Sequence, residues 1–314
     1  MEKFKKLLRM FSDRAAFFNA LSDRGFFNSW SDEKFIKYEF KVTYGREMDL
    51  KNPQTFNEKL NWMKLYYRLP LFSKMADKYE VKKLVSQKIG EKYVVPLYNV
   101  WERPEEIDFD ALPEQFVLKC THNSGTGRCV CKDKKQLDLT EVKNELNRGL
   151  KQNYFFPLRE WPYKNIKPRI IAEKFLDDHT GRHELTDYKF MCFNGEPKIV
   201  YLTNKAKVIF ENFYDMNFQP LDINRGFMRL SPEFEKPAEF EELKQLAKKL
   251  AEGLPFVRVD FFLVDHKIYF GEFTFYDWAG LKKFTDPKWD TLLGSWITLP
   301  QPTFVSKHNK EKKK

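Results

Sequence analysis

One segment, residues 256–280 (FVRVDFFLVDHKIYFGEFTFYDWAG), constrains the fold of this chain more than any other. Two apolar runs flank the short polar sequence at residues 265–267, which predicts two antiparallel strands joined by a tight turn. Alternate residues of a strand lie on the same face of the sheet. A turn made of those three residues would therefore place Asp260 directly opposite Glu272.

This pairing brings two carboxylates together in an otherwise apolar pair of strands. Directly opposed side chains lie roughly 5 Å apart at Cβ, and carboxylates that close repel each other unless a proton or a cation lies between them. The same register puts Arg258 opposite Thr274, on the face that carries Asp260 and Glu272. Carboxylate oxygens are preferred ligands of Mg²⁺. The hairpin therefore predicts a Mg²⁺ site of the kind that accompanies a nucleotide.

The composition is that of a globular protein. The chain has 314 residues, of which 42% are hydrophobic and 32% are charged, and this length predicts about two domains. The formal net charge of +10 favours anionic partners such as acidic small molecules. No RNA-binding or zinc-finger signature accompanies the charge, so nucleic acid is not a predicted partner.

Targeting and redox features predict a cytoplasmic protein. No apolar run reaches about 18 residues, so no transmembrane helix is predicted, and charges interrupt the apolar runs near the N-terminus, unlike in a signal peptide. The four cysteines form no CxxC pair, which is typical of reduced core cysteines. Residues 1–20 predict a basic amphipathic helix. It either packs on the protein's own core, the favoured interpretation, or contacts the inner face of a membrane.

The predicted strands occur in hairpins, with helices between the groups of strands. Residues 187–193 and 197–202 flank Asn194-Gly195, a strong signal for a tight hairpin turn. Helical patterns occur at residues 1–20, 56–66, 75–85, 138–152 and 238–253, and the third of these helices is expected to end near Gly90. This order favours an α+β fold with antiparallel sheets over a doubly wound parallel sheet.

A second signal is a strand that ends in a lysine and runs into a loop of small residues. Lys119 ends the apolar run FVLK, and residues 120–127 (CTHNSGTG) follow it. Such a loop can direct backbone N–H groups at phosphate oxygens, while a lysine at its base supplies positive charge. The pattern is not a P-loop, because the lysine precedes the glycines. An ordinary glycine-rich hairpin loop is the alternative.

Other charged positions have two interpretations each. Glu173 ends an apolar run and is either a solvated strand end or part of a nucleotide-binding strand. Asp187 and Lys189 share a strand face, and they form either a surface ion pair, which contributes little, or contacts to a ribose and a phosphate. Asp77 suits the positive N-terminus of a helix, and Lys78 follows it directly.

Taken together, these segments resemble the ATP-grasp family. The family pattern is an Asp-Lys helix start, a strand ending in lysine, a Gly/Ser-rich loop, a hinge strand with glutamate, and then R-x-D and E-x-N followed by a glycine. The matching residues occur in that order: Asp77-Lys78, Lys119, Ser124 to Gly127, Glu173 to Leu176, Arg258-Val-Asp260, Glu272-Phe-Thr274 and Gly280. More specific sequence motifs, such as NPQTFNEKL at residues 52–60, resemble the bacterial TupA-like branch, which is associated with teichuronopeptide and surface-polysaccharide synthesis.

The resemblance implies an ATP-grasp fold, in which two α+β subdomains with antiparallel sheets hold the nucleotide between them. The expected parts are a helical N-terminal region (1–70), an N-terminal α/β part (71–115), a small subdomain with the phosphate loop (116–176), a large subdomain with the metal site (177–301) and a disordered basic tail (302–314).

The resemblance also implies an ADP-forming carboxylate–amine ligase that uses ATP and Mg²⁺ and acts through an acyl phosphate. Its substrate would be an acidic sugar or amino acid, with the carboxylate on a cell-surface polysaccharide or its precursor. Asp260, Glu272 and Thr274 would bind Mg²⁺, whereas Arg258 and Gly280 would stabilise the reacting acyl group. The residues expected to bind ATP are Lys78, Lys119, Ser124, Gly125, Thr126, Gly127, Glu173, Lys174, Phe175, Leu176, Asp187 and Lys189.

One position departs from the family pattern, because Thr274 stands where an asparagine is usual. A hydroxyl is a weaker ligand than an amide oxygen and reaches less far, so either Thr274 or a water completes the site. Three other functions stay open: a small-molecule kinase on the same fold, a glycosyltransferase with a D-x-D motif at Asp108-Phe-Asp110, and a non-catalytic, membrane-associated module.

Overall fold

The computed structural model describes residues 14–177, 185–203, 209–231 and 233–303. These ranges form two β-sheets with helices packed around them. Neighbouring strands in both sheets are antiparallel, which confirms the predicted α+β class. Residues 1–13 and 304–314, with most of the predicted N-terminal helix and of the basic tail, lie outside the described residues. None of the described helices is long and apolar enough to cross a membrane.

Three helices form the N-terminal part: α1 (Arg14–Ser22), α2 (Asp32–Tyr44) and α3 (Phe56–Tyr66). A capping box fixes the start of α3, because the Thr55 hydroxyl accepts from the backbone N–H of Glu58 and the Glu58 carboxylate accepts from that of Thr55. A small apolar core joins these helices and consists of Phe18, Phe35, Ile36, Phe40, Met48 and Leu65.

The next two helices are α4 (Pro70–Ala76) and α5 (Glu80–Ile89). The sequence predicts one helix that begins at Met75 and ends near Gly90. The end is confirmed by α5, but the start is wrong because the chain breaks at Asp77. The Asp77 carboxylate accepts from two backbone N–H groups at the start of α5, the shorter bond measuring 2.8 Å, and so caps that helix. Lys78 therefore lies in the turn before α5.

The smaller sheet has four strands in the order β1-β4-β2-β3. Their bounds are β1 (Leu97–Trp101), β2 (Phe116–Cys120), β3 (Arg128–Cys131) and β4 (Ile170–Lys174). Helix α6 (Leu139–Lys151) packs on this sheet, and Leu146 from the helix and Leu118 from β2 share a buried core. The predicted phosphate loop at residues 124–127 connects β2 to β3.

The larger sheet has five strands in the order β7-β6-β5-β8-β9. Their bounds are β5 (Asp187–Phe193), β6 (Glu196–Thr203), β7 (Asn212–Tyr214), β8 (Phe256–Val264) and β9 (Lys267–Thr274). Further helices are α7 (Phe155–Leu158), α8 (Phe240–Ala251) and α9 (Lys288–Ser295). Phe190 of β5 contacts Phe240 of α8, with ring centroids 5.9 Å apart. Because side chains alternate along a strand, Lys189 lies on the opposite face of the sheet.

The predicted turn between β5 and β6 is confirmed. Phe193 pairs with Glu196, so Asn194 and Gly195 form a two-residue turn with φ angles of 49° and 83°. Positive φ at both positions matches the twist of the two strands and suits the Asn-Gly sequence.

The turn between β8 and β9 is shorter than predicted. Val264 pairs with Lys267, so the turn consists of Asp265 and His266 alone, with φ angles of 49° and 58°. The predicted three-residue turn is therefore wrong.

A β-bulge nevertheless restores the predicted pairing of the two strands. The register shifts between Asp260 and Phe261, and Gly271 is the extra residue of β9, so that Asp260 still lies opposite Glu272. A Cβ on Gly271 would lie 3.1 Å from the carbonyl oxygen of Asp260, which accounts for the glycine. The shorter turn and the bulge thus offset each other.

Candidate active site

A cavity of about 430 Å³ lies between the two sheets. Its walls come from β2, β3, β4 and the phosphate loop on one side and from β5, β8 and β9 on the other. All the residues predicted to bind the nucleotide line this cavity: Lys78, Lys119, Ser124, Gly125, Thr126, Gly127, Glu173, Lys174, Phe175, Leu176, Asp187 and Lys189. Tertiary structure therefore brings together positions that lie more than 100 residues apart in the sequence.

The phosphate loop is held by its neighbours on both sides. The Lys78 ammonium donates to the backbone carbonyl of Asn123, and the backbone N–H of Gly127 donates to a Glu145 carboxylate oxygen at 2.8 Å. Gly125 and Gly127 both have positive φ, 87° and 66°, a conformation that side chains disfavour. The two glycines thus allow the loop to turn tightly beside the cavity.

Glu173 is buried between two lysines rather than solvated at a strand end. Its carboxylate accepts from Lys119 at 2.7 Å and from Lys82 at 2.5 Å. Burial disfavours the charged form, but the Lys119 and Lys82 ammonium groups outweigh burial and lower the pKa of Glu173 to about 2. Both lysines thereby face the cavity at fixed positions.

Sequence reasoning missed Lys82 and the apolar walls of the cavity. Lys82 follows Lys78 by four residues, a spacing that would place both on one side of the predicted helix, and this was the available signal. Besides the predicted Phe175 and Leu176, the apolar walls consist of Val81, Val94, Val95, Val117, Val130, Leu185, Phe262 and Phe270. They form an apolar compartment suited to a flat aromatic ring.

Asp187 and Lys189 are buried on the central strand of the larger sheet, so they are not a surface ion pair. The Lys189 ammonium lies 2.5 Å from Asp260 Oδ2 and 3.4 Å from Asp187 Oδ2. Burial and the nearby Arg258 guanidinium each lower the pKa of Lys189, but Asp187, Asp260 and Glu272 raise it above its ordinary value overall. Lys189 therefore remains a cation at neutral pH.

Arg258 is the other cation that neutralises Asp260. Its Nε and Nη2 donate to the two oxygens of Asp260, each at 2.7 Å, and Nη2 also donates to Glu272 Oε1 at 3.2 Å. Nη1 donates to Asp277 at 2.6 Å and to the Tyr201 hydroxyl at 3.1 Å. The carboxylates of the hairpin are thus paired with protein cations.

Asp277, which sequence reasoning missed, connects Arg258 to a second buried arginine. The Arg225 guanidinium donates to Asp277 and, with two bonds of 2.7 and 2.9 Å, to Glu211. Burial opposes ionisation of Asp277, but Arg225 and Arg258 lower its pKa to about 2. Arg225 and Glu211 carry no local motif, so no signal in the sequence identified them.

Gly280 ends the turn that carries Asp277 and packs tightly against α3. Its φ is 65°, and a Cβ there would lie 2.8 Å from the Asn61 amide nitrogen. The Gly280 carbonyl accepts from that amide at 2.8 Å. Close packing therefore accounts for the glycine at position 280. Neither Gly280 nor Arg258 is among the described residues that line the cavity.

The proposed Mg²⁺ ligands differ in their access to the cavity. Glu272 lines it, and the Thr274 hydroxyl donates to Glu272 Oε1 at 3.4 Å. Asp260 is 1% exposed, and both of its oxygens already accept hydrogen bonds from cations. The hard oxygen donors fit Mg²⁺, but Asp260 becomes a ligand only if one of its cationic partners moves.

A buried ionisable cluster interacts electrostatically with this face of the sheet. Burial raises the pKa of Glu160 to about 7, Lys64 opposes that rise, and Glu272 adds to it. Glu39 is shifted in the same direction by burial. Within the described part of the chain, the Lys64 ammonium and both Glu39 oxygens are buried without a hydrogen-bond partner.

The D-x-D letters at residues 108–110 have a local explanation. Asp108 Oδ1 accepts from the backbone N–H groups of Asp110 and Ala111 at 3.0 and 3.3 Å, an Asx turn on the surface. Over the described ranges, no group of three or more His, Cys, Asp or Glu residues is arranged to hold a metal. The motif therefore stabilises a turn.

Comparison with known proteins shows the family. The TupA-like ATP-grasp family matches residues 58–298, more than half of the chain. Among the curated proteins, none is significantly similar to this chain.

Several solved structures are partly similar to this chain. D-alanine–D-alanine ligase from Bacillus anthracis, complexed with ATP, is 17% identical over 64% of this chain and 53% of that chain, with a TM-score of 0.38. The same enzyme from Helicobacter pylori is 16% identical over 72% of this chain and 59% of that chain, with a TM-score of 0.41. The biotin carboxylase domain of Hydrogenobacter thermophilus 2-oxoglutarate carboxylase, in complex with MgADP, is 14% identical over 74% of this chain and 47% of that chain, with a TM-score of 0.40. The match spans about half of the length of these proteins.

The family match includes the capping residue Glu58 of α3, the phosphate loop, the hinge strand β4 and the hairpin of β8 and β9. The phosphate loop, β4 and the hairpin are the segments of this match whose side chains meet at the cavity between the two sheets. This chain belongs to the TupA-like ATP-grasp family.

Proposed function

We propose that this protein is an ATP- and Mg²⁺-dependent, ADP-forming carboxylate–amine ligase that acts through an acyl phosphate. The observation that carries the proposal is the arrangement of Lys78, Lys119 and Lys189 around one cavity, with Glu272 on its wall. Several cations around a site for a small molecule favour a polyanion such as a nucleoside triphosphate.

The two ends of the cavity suit the two ends of the nucleotide. Adenine would lie against the apolar compartment that includes Val117 and Phe270. The backbone of Phe175 and Leu176 would meet its polar edge, and Asp187 would bind the ribose. Glu173 would act chiefly through Lys119 and Lys82, because both of its oxygens already accept from them.

Lys78 and Lys119 would neutralise phosphate oxygens, and the loop at residues 124–127 would close over them. Glu272, Asp260 and Thr274 would hold the metal. When bound, Mg²⁺ would neutralise charge on the β- and γ-phosphates and orient the γ-phosphate for transfer. Phosphoryl transfer depends mainly on such positioning and charge neutralisation.

In the first step, a carboxylate oxygen of the acceptor attacks the γ-phosphorus. The bond between that phosphorus and the β–γ bridging oxygen breaks, ADP leaves, and an acyl phosphate forms. Closure of the phosphate loop excludes water, which would otherwise hydrolyse the acyl phosphate.

In the second step, the amine nitrogen attacks the acyl carbon. The C–N bond forms, the C–O bond to phosphate breaks, inorganic phosphate leaves, and the neutral amine nitrogen loses one proton to solvent. Arg258 would stabilise the developing oxyanion by exchanging Glu272, its most distant carboxylate partner at 3.2 Å, for the acyl oxygen while it stays on Asp260 and Asp277. The backbone N–H of Gly280 is the second proposed donor. Losing one such donor typically costs roughly 2.7–4 kcal/mol of transition-state stabilisation.

The family resemblance supports a narrower substrate class. The acceptor carboxylate would belong to a cell-surface polysaccharide or its precursor, and the amine to an amino acid. The net charge of +10 suits both an acidic sugar and ATP.

Calorimetric titration of ATP into the full-length protein, with and without Mg²⁺, tests the nucleotide part. Wild type is expected to bind ATP more tightly with Mg²⁺, and Asp260→Asn to lose that dependence. Absence of Mg²⁺-dependent ATP binding by wild type would contradict the proposal. ADP release is then measured with amino acids and uronic acids, with hydroxylamine as a substitute amine. Release that requires an amine identifies a ligase, whereas release with a hydroxyl acceptor alone identifies a kinase.

A further inference from the structure

We infer that the Lys189 ammonium competes with a metal ion for Asp260, so that the metal ion binds together with the nucleotide and not before it. The inference rests on the proposed function for the identity of the ligands. It concerns the order in which metal and nucleotide bind, which that function does not specify.

The geometry around Asp260 leaves no carboxylate oxygen without a positive partner. Oδ1 accepts from Arg258 Nε at 2.7 Å. Oδ2 accepts from Arg258 Nη2 at 2.7 Å and from Lys189 Nζ at 2.5 Å. With Asp260 only 1% exposed, solvent provides no other approach to these oxygens.

Of the two cations, Lys189 is the one that can leave. Arg258 is fixed by several carboxylates, including Asp277 at 2.6 Å, and it does not line the cavity. Lys189 lines the cavity, and its single flexible stem carries one compact charge. Rotation of that stem would move the ammonium from Asp260 toward the space that the phosphates would fill.

A divalent cation that binds without a nucleotide would have to approach Asp260 Oδ2, which already accepts from the Lys189 ammonium. Mg²⁺ and Mn²⁺ bind oxygen ligands directly, so a metal on Asp260 Oδ2 and the Lys189 ammonium would be adjacent like charges in a buried site. Their repulsion is only weakly screened there. Binding of the metal alone would therefore require the Lys189 ammonium to leave its carboxylate partners while no new anionic partner is present.

A nucleotide changes this balance because its phosphates accept the Lys189 ammonium. Oδ2 of Asp260 then becomes accessible to the metal that the phosphates bring. Metal and nucleotide consequently favour each other's binding, and the coupling is reciprocal. Lys189 would thereby prevent the site from taking up a divalent cation in the absence of substrate.

Mn²⁺ binding to the full-length protein, measured by electron paramagnetic resonance without any nucleotide, tests the inference. Lys189→Met is expected to bind Mn²⁺ at least about tenfold more tightly than wild type. Lys119→Met is the matched control, because it removes a cavity lysine that is paired with Glu173 instead of Asp260. The control is expected to bind Mn²⁺ like wild type.

Equal Mn²⁺ affinities of Lys189→Met and wild type would overturn the inference, as would an equal gain in Lys119→Met. Lys189→Arg, which retains a cation at this position, is expected to keep the weak Mn²⁺ binding of wild type. Tight Mn²⁺ binding by folded wild type without nucleotide would also overturn the inference. These outcomes do not depend on ATP binding or turnover, so failure of the proposed function remains distinguishable.

Discussion

Gly127 of the phosphate loop and Gly149 of helix α6 touch each other so closely that neither position has room for a side chain. A Cβ on Gly149 would lie 2.4 Å from the Cα of Gly127, and a Cβ on Gly127 would lie 2.9 Å from the Cα of Gly149. Both obstacles are backbone atoms, which cannot move aside as a flexible side chain can. The position of the loop is therefore determined by a helix that does not itself line the cavity.

The first prediction concerns this contact. Gly149→Ala is expected to push the phosphate loop away from α6, lowering ATP affinity and reducing the free energy of unfolding by about 1–3 kcal/mol. Calorimetric ATP titration and urea unfolding measure the two effects. Asn144→Ala, at an exposed position of the same helix, is the control and should change neither. Wild-type affinity and stability in Gly149→Ala would show that the loop tolerates the displacement.

The second prediction concerns the pairing of Glu173 with Lys119 and Lys82. Glu173→Gln is expected to lower the free energy of unfolding at pH 7 by about 3–5 kcal/mol, because two poorly solvated ammonium groups lose a buried counter-charge. Glu102→Gln is the matched control, since it removes a carboxylate from an exposed ion pair with Lys167, which contributes at most about 1 kcal/mol.

The pH dependence of Glu173 provides a further check. Its pKa is lowered from 4.5 to about 2, so its stabilising effect is present above pH 4.5 and is lost as the pH falls through 2. The stability difference between wild type and Glu173→Gln should therefore shrink on acidification. A difference that stays constant down to pH 2.5 would contradict the ion pairing.

The third prediction concerns Glu160, whose pKa burial raises from 4.5 to about 7. Between these values the folded protein binds more protons at this site than the unfolded chain does. The contribution of Glu160 is thus fully present below pH 4.5 and is lost as the pH rises through 7. Glu160→Gln removes this pH-dependent loss of stability. The free energy of unfolding of the variant, relative to that of wild type, should therefore increase by up to about 3 kcal/mol between pH 4.5 and 8.

Urea unfolding of both proteins at pH 5, 6, 7 and 8 measures that difference. Glu114→Gln, at an exposed position, should show no such trend. If the relative stability of Glu160→Gln does not change with pH, then Glu160 is ionised in the folded protein like an ordinary glutamate.

The fourth prediction concerns Asp277, which joins Arg258 to Arg225. Asp277→Asn is expected to lower the free energy of unfolding by about 3–5 kcal/mol, because it leaves two buried guanidinium groups with less counter-charge. ATP affinity of the folded fraction should stay within about threefold of wild type, because Asp277 does not line the cavity. A large loss of ATP affinity without a loss of stability would instead place Asp277 in the nucleotide site.

The residue pattern of the sequence was sufficient for the main features of the site. The pairing of Asp260 with Glu272 followed from the period of two along a strand, and the hinge and loop residues followed from their order in the family pattern. The length of the turn between β8 and β9 did not follow, because the sequence at residues 265–267 is compatible with two or three turn residues. Only the structure revealed that Gly271 compensates for the shorter turn by forming a bulge.

The sequence by itself determined the fold class, the family and many of the residues that line the cavity between the two sheets, because periodicity and chemically distinctive motifs are local properties. Tertiary structure alone decided how the charges are paired. Lys82 joins Lys119 on Glu173, Arg225 joins Arg258 on Asp277, and Lys189 takes the position on Asp260 where the sequence predicts a metal. These partners come from distant segments, and a buried charge interacts with whichever opposite charge the packed fold places within a few ångströms.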